Sequence, residues 1–255
     1  MAIRAVLWDV DDTLFDYTGA DEAGVLHHLA EEGVLNRYSS PAAALARWRE
    51  VMEEQFALFA AGELGYHEHR RGRARGFLGT EVTDAEADAW FDRYVARYEA
   101  AWCLFPDAVP ALDALRADYR HGVLSNAATA NQDRKLRRLG IRDRFEVLLC
   151  ADGIGCAKPA PEAFRAACDA LRLEPAEVAY VGDQLATDAQ GAQAAGLTGI
   201  WLDRLGGPAP DGVPRVTGLA ELREALASLV PRPSHPEHLP HPSHLSHPSR
   251  EVRRV

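Results

Sequence analysis

The sequence predicts an α/β protein: a doubly wound, parallel-sheet core with an all-helical insert after its first strand. Three observations carry that prediction. Short apolar runs closed by small or polar residues alternate with helical patterns, as in a parallel sheet covered by helices. The alternation stops between residues 17 and 102, which hold helical patterns and no convincing strand. The composition of this 255-residue chain is that of an ordinary globular protein, 47% apolar and 26% charged, long enough to bury a core without disulfides.

Taken in order, a strand is expected at 5–8, running into Asp9-Val10-Asp11-Asp12-Thr13. A helix over 18–32 stops at Gly33, and a second begins at Ser40 as N-cap with Pro41 next. That second helix carries Leu45, Trp48, Met52, Phe56 and Phe59 on one face. A basic stretch with His67, His69, Arg70, Arg71, Arg73 and Arg75 follows, read as a solvated face balanced by Glu63 and Glu68 or as a site for an anionic or aromatic group. The insert's last helix opens with the capping box Thr83-x-x-Glu86 and buries Trp90, Tyr94 and Tyr98. The β-α rhythm then resumes, with helices at 106–119, 130–139, 159–171 and 186–195 between strands at 122–124, 145–149, 178–181 and 199–202. Residues 1–16 and 103–230 therefore form the core, 17–102 the helical insert and 231–255 a tail. The tail holds six prolines and the histidines 235, 238, 241, 244 and 247, a composition that supplies no buried core and reads as disordered.

The net charge of −10 argues against a nucleic-acid or anionic-membrane surface, and neither an apolar membrane span nor an export signal is expected. Cys103, Cys150, Cys156 and Cys168 form no Cys-x-x-Cys pair, so a reduced, cytoplasmic setting is expected. Only Lys135 and Lys158 are lysine in an arginine-rich chain. A lysine retained there points to a compact charge where a guanidinium would not fit.

Candidate chemistry gathers at strand ends, where ligands of doubly wound sheets bind. Asp9 and Asp11 follow the first strand, placing two carboxylates where one can act as nucleophile or metal ligand and the other as general acid. Ser125 and Asn126 precede a helix, a place suited to an anion or to plain capping. Lys158 lies before a proline-initiated helix, and Asp183 and Asp188 follow the fourth strand of the series.

In that order, Asp-x-Asp-x-Thr, Ser-Asn, Lys-Pro and Gly-Asp-x-x-x-x-Asp resemble the four motifs of the haloacid dehalogenase-like (HAD) hydrolase superfamily. The resemblance spans residues 3 to about 205. It implies a Rossmann-like core with a C1-type cap and a magnesium-dependent phosphatase acting through an aspartyl-phosphate. It further implies Asp9 as nucleophile, Asp11 as acid/base, Thr13 as an organiser of the first loop, and Ser125, Asn126 and Lys158 as phosphate contacts. Mg²⁺ would take Asp9, Asp183, the Asp11 carbonyl and Asp188, the last directly or through the next shell. Crowded carboxylates around a hard cation suit magnesium on physical grounds as well. The expected substrate is a small phosphorylated metabolite of nucleotide, phosphoglycolate or sugar phosphate type, with no nucleic acid or membrane partner and a monomeric or homodimeric protein. A 2-haloacid dehalogenase, a phosphomutase and a non-catalytic phosphate-binding module are the alternatives; Asp11 favours the phosphatase, because an alkoxide leaving group needs an acid and a halide does not. Closure of the insert over the site through linkers near 16–19 and 101–106 is also expected. Truncation after Leu229 should leave the melting temperature and turnover unchanged; a large drop in melting temperature would sink the reading of the tail.

Overall fold

The computed structural model describes residues 2–78, 82–208 and 210–229, so the tail expected to be disordered lies outside the described residues. Six parallel strands, β1 (Ala5–Trp8), β2 (Arg120–Ser125), β3 (Val147–Cys150), β4 (Val178–Gly182), β5 (Thr198–Leu202) and β6 (Arg215–Val216), form one sheet in the order β3-β2-β1-β4-β5-β6. β1 is central: Ala5 is in register with both Arg120 and Val178. Its alternate residues feed opposite faces, Val6 and Trp8 into one core and Ala5 and Leu7 into the other. Both faces are thus covered, which explains why β1 and β4 read as continuous apolar runs.

Four helices lie between β1 and the return of the chain to the sheet: α1 (Tyr17–Glu31), α2 (Pro41–Ala60), α3 (Tyr66–Leu78) and α4 (Asp84–Ala100). They have a core of their own around Val25, Leu29, Trp48, Phe77, Trp90 and Tyr94. The Ser40 and Thr83 caps form as expected, the latter with its reciprocal Glu86 bond. The linkers lie side by side, Asp16 N–H donating to the Cys103 carbonyl (3.1 Å) and Phe105 N–H to that of Leu14 (3.0 Å). The remaining helices are α5 (Ala108–Leu115), α6 (Thr129–Arg138), α7 (Ala151–Ile154), α8 (Pro161–Leu171), α9 (Gly191–Ala194) and α10 (Leu222–Ser228). Among the described residues, no helix is long and apolar enough to cross a membrane.

Three expectations need correction. The α2 stripe does not bury as a unit: Trp48 is sealed, but Phe56 is 58% and Phe59 37% exposed. Trp48 packs against Trp90 and Tyr94 of α4, whereas Phe59, at the far end of α2, meets Phe56 and the His69 ring of α3 (5.2 Å). The helix expected over 186–195 begins as a π-helical turn, Leu185–Gln190, before α9. Wider turns of this kind recur at functional sites. The two-residue edge strand β6 was not expected, being too short for any periodicity to register.

β5 packs directly against the π-helical turn. A Cβ on Gly199 would stand 2.0 Å from the Ala189 carbonyl oxygen, which has no room to yield. Gly199→Ala should therefore destabilise the fold by about 1–3 kcal/mol or more through overpacking. Phe164→Ala, at a fully buried ring 5.1 Å from that of Tyr180, should cost about 3–5 kcal/mol. Denaturant midpoints measure both, and wild-type values would refute the packing account.

Candidate active site

Four strand ends converge beside β1, where the strand order reverses direction. β1 delivers Asp9 and Asp11, β2 delivers Ser125, the segment after β3 and α7 delivers Lys158, and β4 delivers Asp183 and Asp188. The first loop bends back at Asp12, a non-glycine residue with φ +59°, whose carboxylate accepts from the Thr18 N–H and hydroxyl, each at 2.8 Å.

Lys158 is the hub. Its Nζ donates to Asp9 Oδ1 (2.7 Å), Asp188 Oδ1 (2.8 Å) and the Tyr180 hydroxyl (2.6 Å), with all four groups buried. The Tyr180 hydroxyl in turn donates a hydrogen bond to the Leu124 carbonyl (2.9 Å). Asn126 locks the lysine's backbone, its Nδ2 donating to the Lys158 carbonyl (2.9 Å) and its Oδ1 accepting from the Lys158 N–H (2.8 Å). Asp188 is tucked so close to the end of β4 that a Cβ on Gly182 would meet its Oδ2 at 2.3 Å. That oxygen accepts from the Gln184 N–H (3.0 Å). Thr13, fully buried, holds its hydroxyl 3.4 Å from both Asp9 Oδ2 and Asp183 Oδ1.

Carboxylate oxygens of Asp9, Asp183 and Asp188 lie within 4.8 Å of one another. Burial, with help from the neighbouring aspartates, pushes Asp9 up against the opposing pull of Lys158. Burial and Asp188 push Asp183 up to about 7. Burial also works against the Lys158 ammonium, yet Asp9 and Asp188 outweigh it and hold its proton on. Burial leads in all three cases, and three carboxylates against one ammonium leave the cluster with excess negative charge. Hard oxygen donors with unmet negative charge fit a magnesium-type ion.

Asp11 is held separately. Gln132 Nε2 donates to Asp11 Oδ2 (2.7 Å) and to Ser125 Oγ (3.0 Å), and the Lys135 ammonium pairs with Asp11 Oδ1. Both α6 residues are buried, and Lys135 Nζ lies 4.3 Å from the centre of the Phe15 ring. Ser125 Oγ accepts also from the Ala127 N–H (3.2 Å), which leaves its own proton for an incoming oxygen. Gln132 and Lys135 are absent from the site expected on sequence grounds. The scarcity of lysine was a usable signal for Lys135, since the chain's two lysines meet Asp9 and Asp11 of the first loop; nothing in the sequence singles out Gln132.

The basic stretch resolves differently from either expectation for it as a whole. Arg71 pairs with Asp84 and Asp88, Arg75 with Asp84, and Arg70 with Asp92, so the partners come from the start and first turns of α4 and not from Glu63 or Glu68. Glu68 accepts from the Gly65 N–H instead (2.7 Å). Arg73 alone of these arginines lines a cavity of about 290 Å³ between insert and core, together with Asp11, Lys135 and a wall of aromatic rings.

The profile of the haloacid dehalogenase-like hydrolases matches residues 3–196. The glyceraldehyde 3-phosphate phosphatase of Methanopyrus kandleri is 30% identical over 206 residues, 79% of this chain and 84% of that protein. The phosphoserine phosphatase of Thermus thermophilus is 33% identical over 184 residues, 71% of this chain and 67% of that one. Among solved structures, the 2-haloacid dehalogenase of Pseudomonas syringae superposes with a TM-score of 0.64 at 26% identity, covering 89% of this chain and 99% of its own. The HAD hydrolase YfnB of Bacillus subtilis, bound to magnesium, superposes at 0.70 with 21% identity, over 89% and 99%. The ordered motifs, the sheet that gathers them and the match over most of its length place this chain in the haloacid dehalogenase-like hydrolase family.

Proposed function

We propose that the chain is a phosphatase that hydrolyses a small phosphomonoester, with Asp9 as nucleophile, Asp11 as acid/base and magnesium as cofactor. The observation that carries this reading is the Lys158 ammonium clamped between Asp9 and Asp188, with Asp183 and Thr13 on the other side of Asp9. Several relatives bear the names of phosphatases acting on phosphorylated metabolites, which supports the substrate class.

Lys158 holds Asp9 in place and offsets its charge, easing the approach of one anion to another. Ser125, with its hydroxyl proton free, and the start of the chain beyond it are assigned to the phosphoryl oxygens. Attack by Asp9 would give an aspartyl-phosphate, while Asp11 protonates the departing alkoxide and then takes a proton from the attacking water. Gln132 and Lys135 fix the Asp11 carboxyl toward the cavity in which the leaving group would sit. Asp9 and Asp183 are the proposed carboxylate ligands of the magnesium ion, with the Asp11 carbonyl. Asp188 already accepts from Lys158 and Gln184, so we assign it to steering Lys158. When bound, the ion would supply positive charge against the transferring phosphoryl group. The proposed cap is residues 17–102.

The dehalogenase alternative leaves Asp11 without a task, because halide departs unprotonated. Two side chains devoted to holding Asp11 therefore favour the phosphoester.

Magnesium-dependent hydrolysis of para-nitrophenyl phosphate, lost in Asp9→Asn, is the expected result. Turnover of 2-haloacids and of no phosphate ester would overturn the reading. Asp11→Asn should lower kcat/KM, which reports formation of the aspartyl-phosphate, by about 10²–10⁴-fold on alkyl phosphates and much less on the nitrophenyl ester, whose leaving group departs without a proton. Equal losses on the two would remove Asp11 from the acid role. Metal binding has a pH signature too. Asp183 has a folded pKa raised from 3.8 to about 7, so in metal-free protein it contributes stability at low pH that is lost as pH rises through that window. Magnesium needs the deprotonated form, and its stabilising effect on the melting temperature should grow between about pH 5 and about pH 8. A shift independent of pH would contradict the assignment of Asp183.

A further inference from the structure

The cavity between insert and core contains one positive charge more than its own carboxylates match. Five charged residues line it, Asp11, Arg73, Glu99, Arg134 and Lys135. Asp11 pairs with Lys135 and Glu99 with Arg134. Arg73 is left over: among the described residues its guanidinium makes no ion pair or hydrogen bond, whereas its helix neighbours Arg70, Arg71 and Arg75 are all paired with aspartates of α4, even though the Nε of Arg70, like that of Arg73, is buried without a partner. Asp21 lies close enough to feel its charge, but that carboxyl is held by the Tyr94 hydroxyl and makes no ion pair with the guanidinium. The guanidinium is braced over the rings of Phe91 (4.9 Å) and Trp48 (5.2 Å). The rings hold the guanidinium in place, and its terminal N–H groups, which no residue of the protein engages among those described, are left for a planar, two-oxygen acceptor.

We propose that Arg73 receives a carboxylate on the leaving-group side of the substrate, so that the substrate class is phosphomonoesters carrying a carboxylate. This rests on the phosphoester reading above. One unmatched cation calls for one negative charge; a second phosphate would bring about −1.5 to −2. The cavity's 290 Å³ holds about ten water-sized groups of about 30 Å³ each, enough for a short carbon chain ending in a carboxylate. Its position beside Asp11 puts that chain where the alkoxide would leave.

The test compares binding of 3-phosphonopropionate and propylphosphonate to the full-length protein by calorimetry in magnesium buffer. The two differ only in carboxylate against methyl, and neither is hydrolysed. Wild type should bind the carboxylated compound at least about tenfold more tightly, as a charge-assisted pair does. In Arg73→Met the two affinities should converge, and Arg73→Lys should recover part of the ratio. Equal affinities in the wild type, no measurable binding of 3-phosphonopropionate, or a ratio unchanged in Arg73→Met would overturn the inference. An unchanged ratio would assign the carboxylate preference to the metal or to the cavity's other cations, Arg134 and Lys135. Hydrolysis of para-nitrophenyl phosphate, measured separately, tells failure of this inference from failure of the phosphatase reading.

Discussion

Everything at the site depends on keeping several carboxylates together in a buried place. Asp9, Asp183 and Asp188 repel one another, and burial sharpens the repulsion. Lys158 makes the arrangement tenable by touching two of them, and the molecule invests heavily in Lys158: Tyr180 and Asp188 hold its head and Asn126 its backbone. The sheet supplies the rest. Placing β1 between β2 and β4 brings residues far apart in sequence to adjacent strand ends.

The contrast between lysine and arginine shows a division of labour. Arginines tie helices together at the surface with aspartate and glutamate, contacts that each contribute little in water. The two lysines sit buried on Asp9 and Asp11 of the first loop, where a point charge on a flexible stem reaches what a planar fork cannot. Arg73 is the exception among the arginines lining the insert cavity, buried at its Nε and unspent.

How much was legible in the sequence follows from how local each signal is. The strand ends carrying Asp9, Ser125 and Asp183 were readable because a buried parallel strand is a compact apolar run with an abrupt polar end. The Ser40 and Thr83 caps were readable because capping is decided within three residues. Gln132 was not, since its role exists only once α6 stands over the first loop. Phe56 and Phe59 misled for a related reason: helical spacing says which face they share, but which helices stand against that face decides whether it is covered, and Trp48 meets α4 where Phe59 meets the start of α3.

The paired linkers have a consequence for how the chain assembles. β1 must find β2 across the whole insert, a closure whose entropic penalty grows only slowly with length but which delays parallel pairing. Because α1–α4 share a core of their own, they can form first and hold residues 14–16 against 103–105. The insert then acts as a clasp: to the nascent sheet, β1 and β2 are separated by an ordinary crossover through α5 instead of by the whole insert.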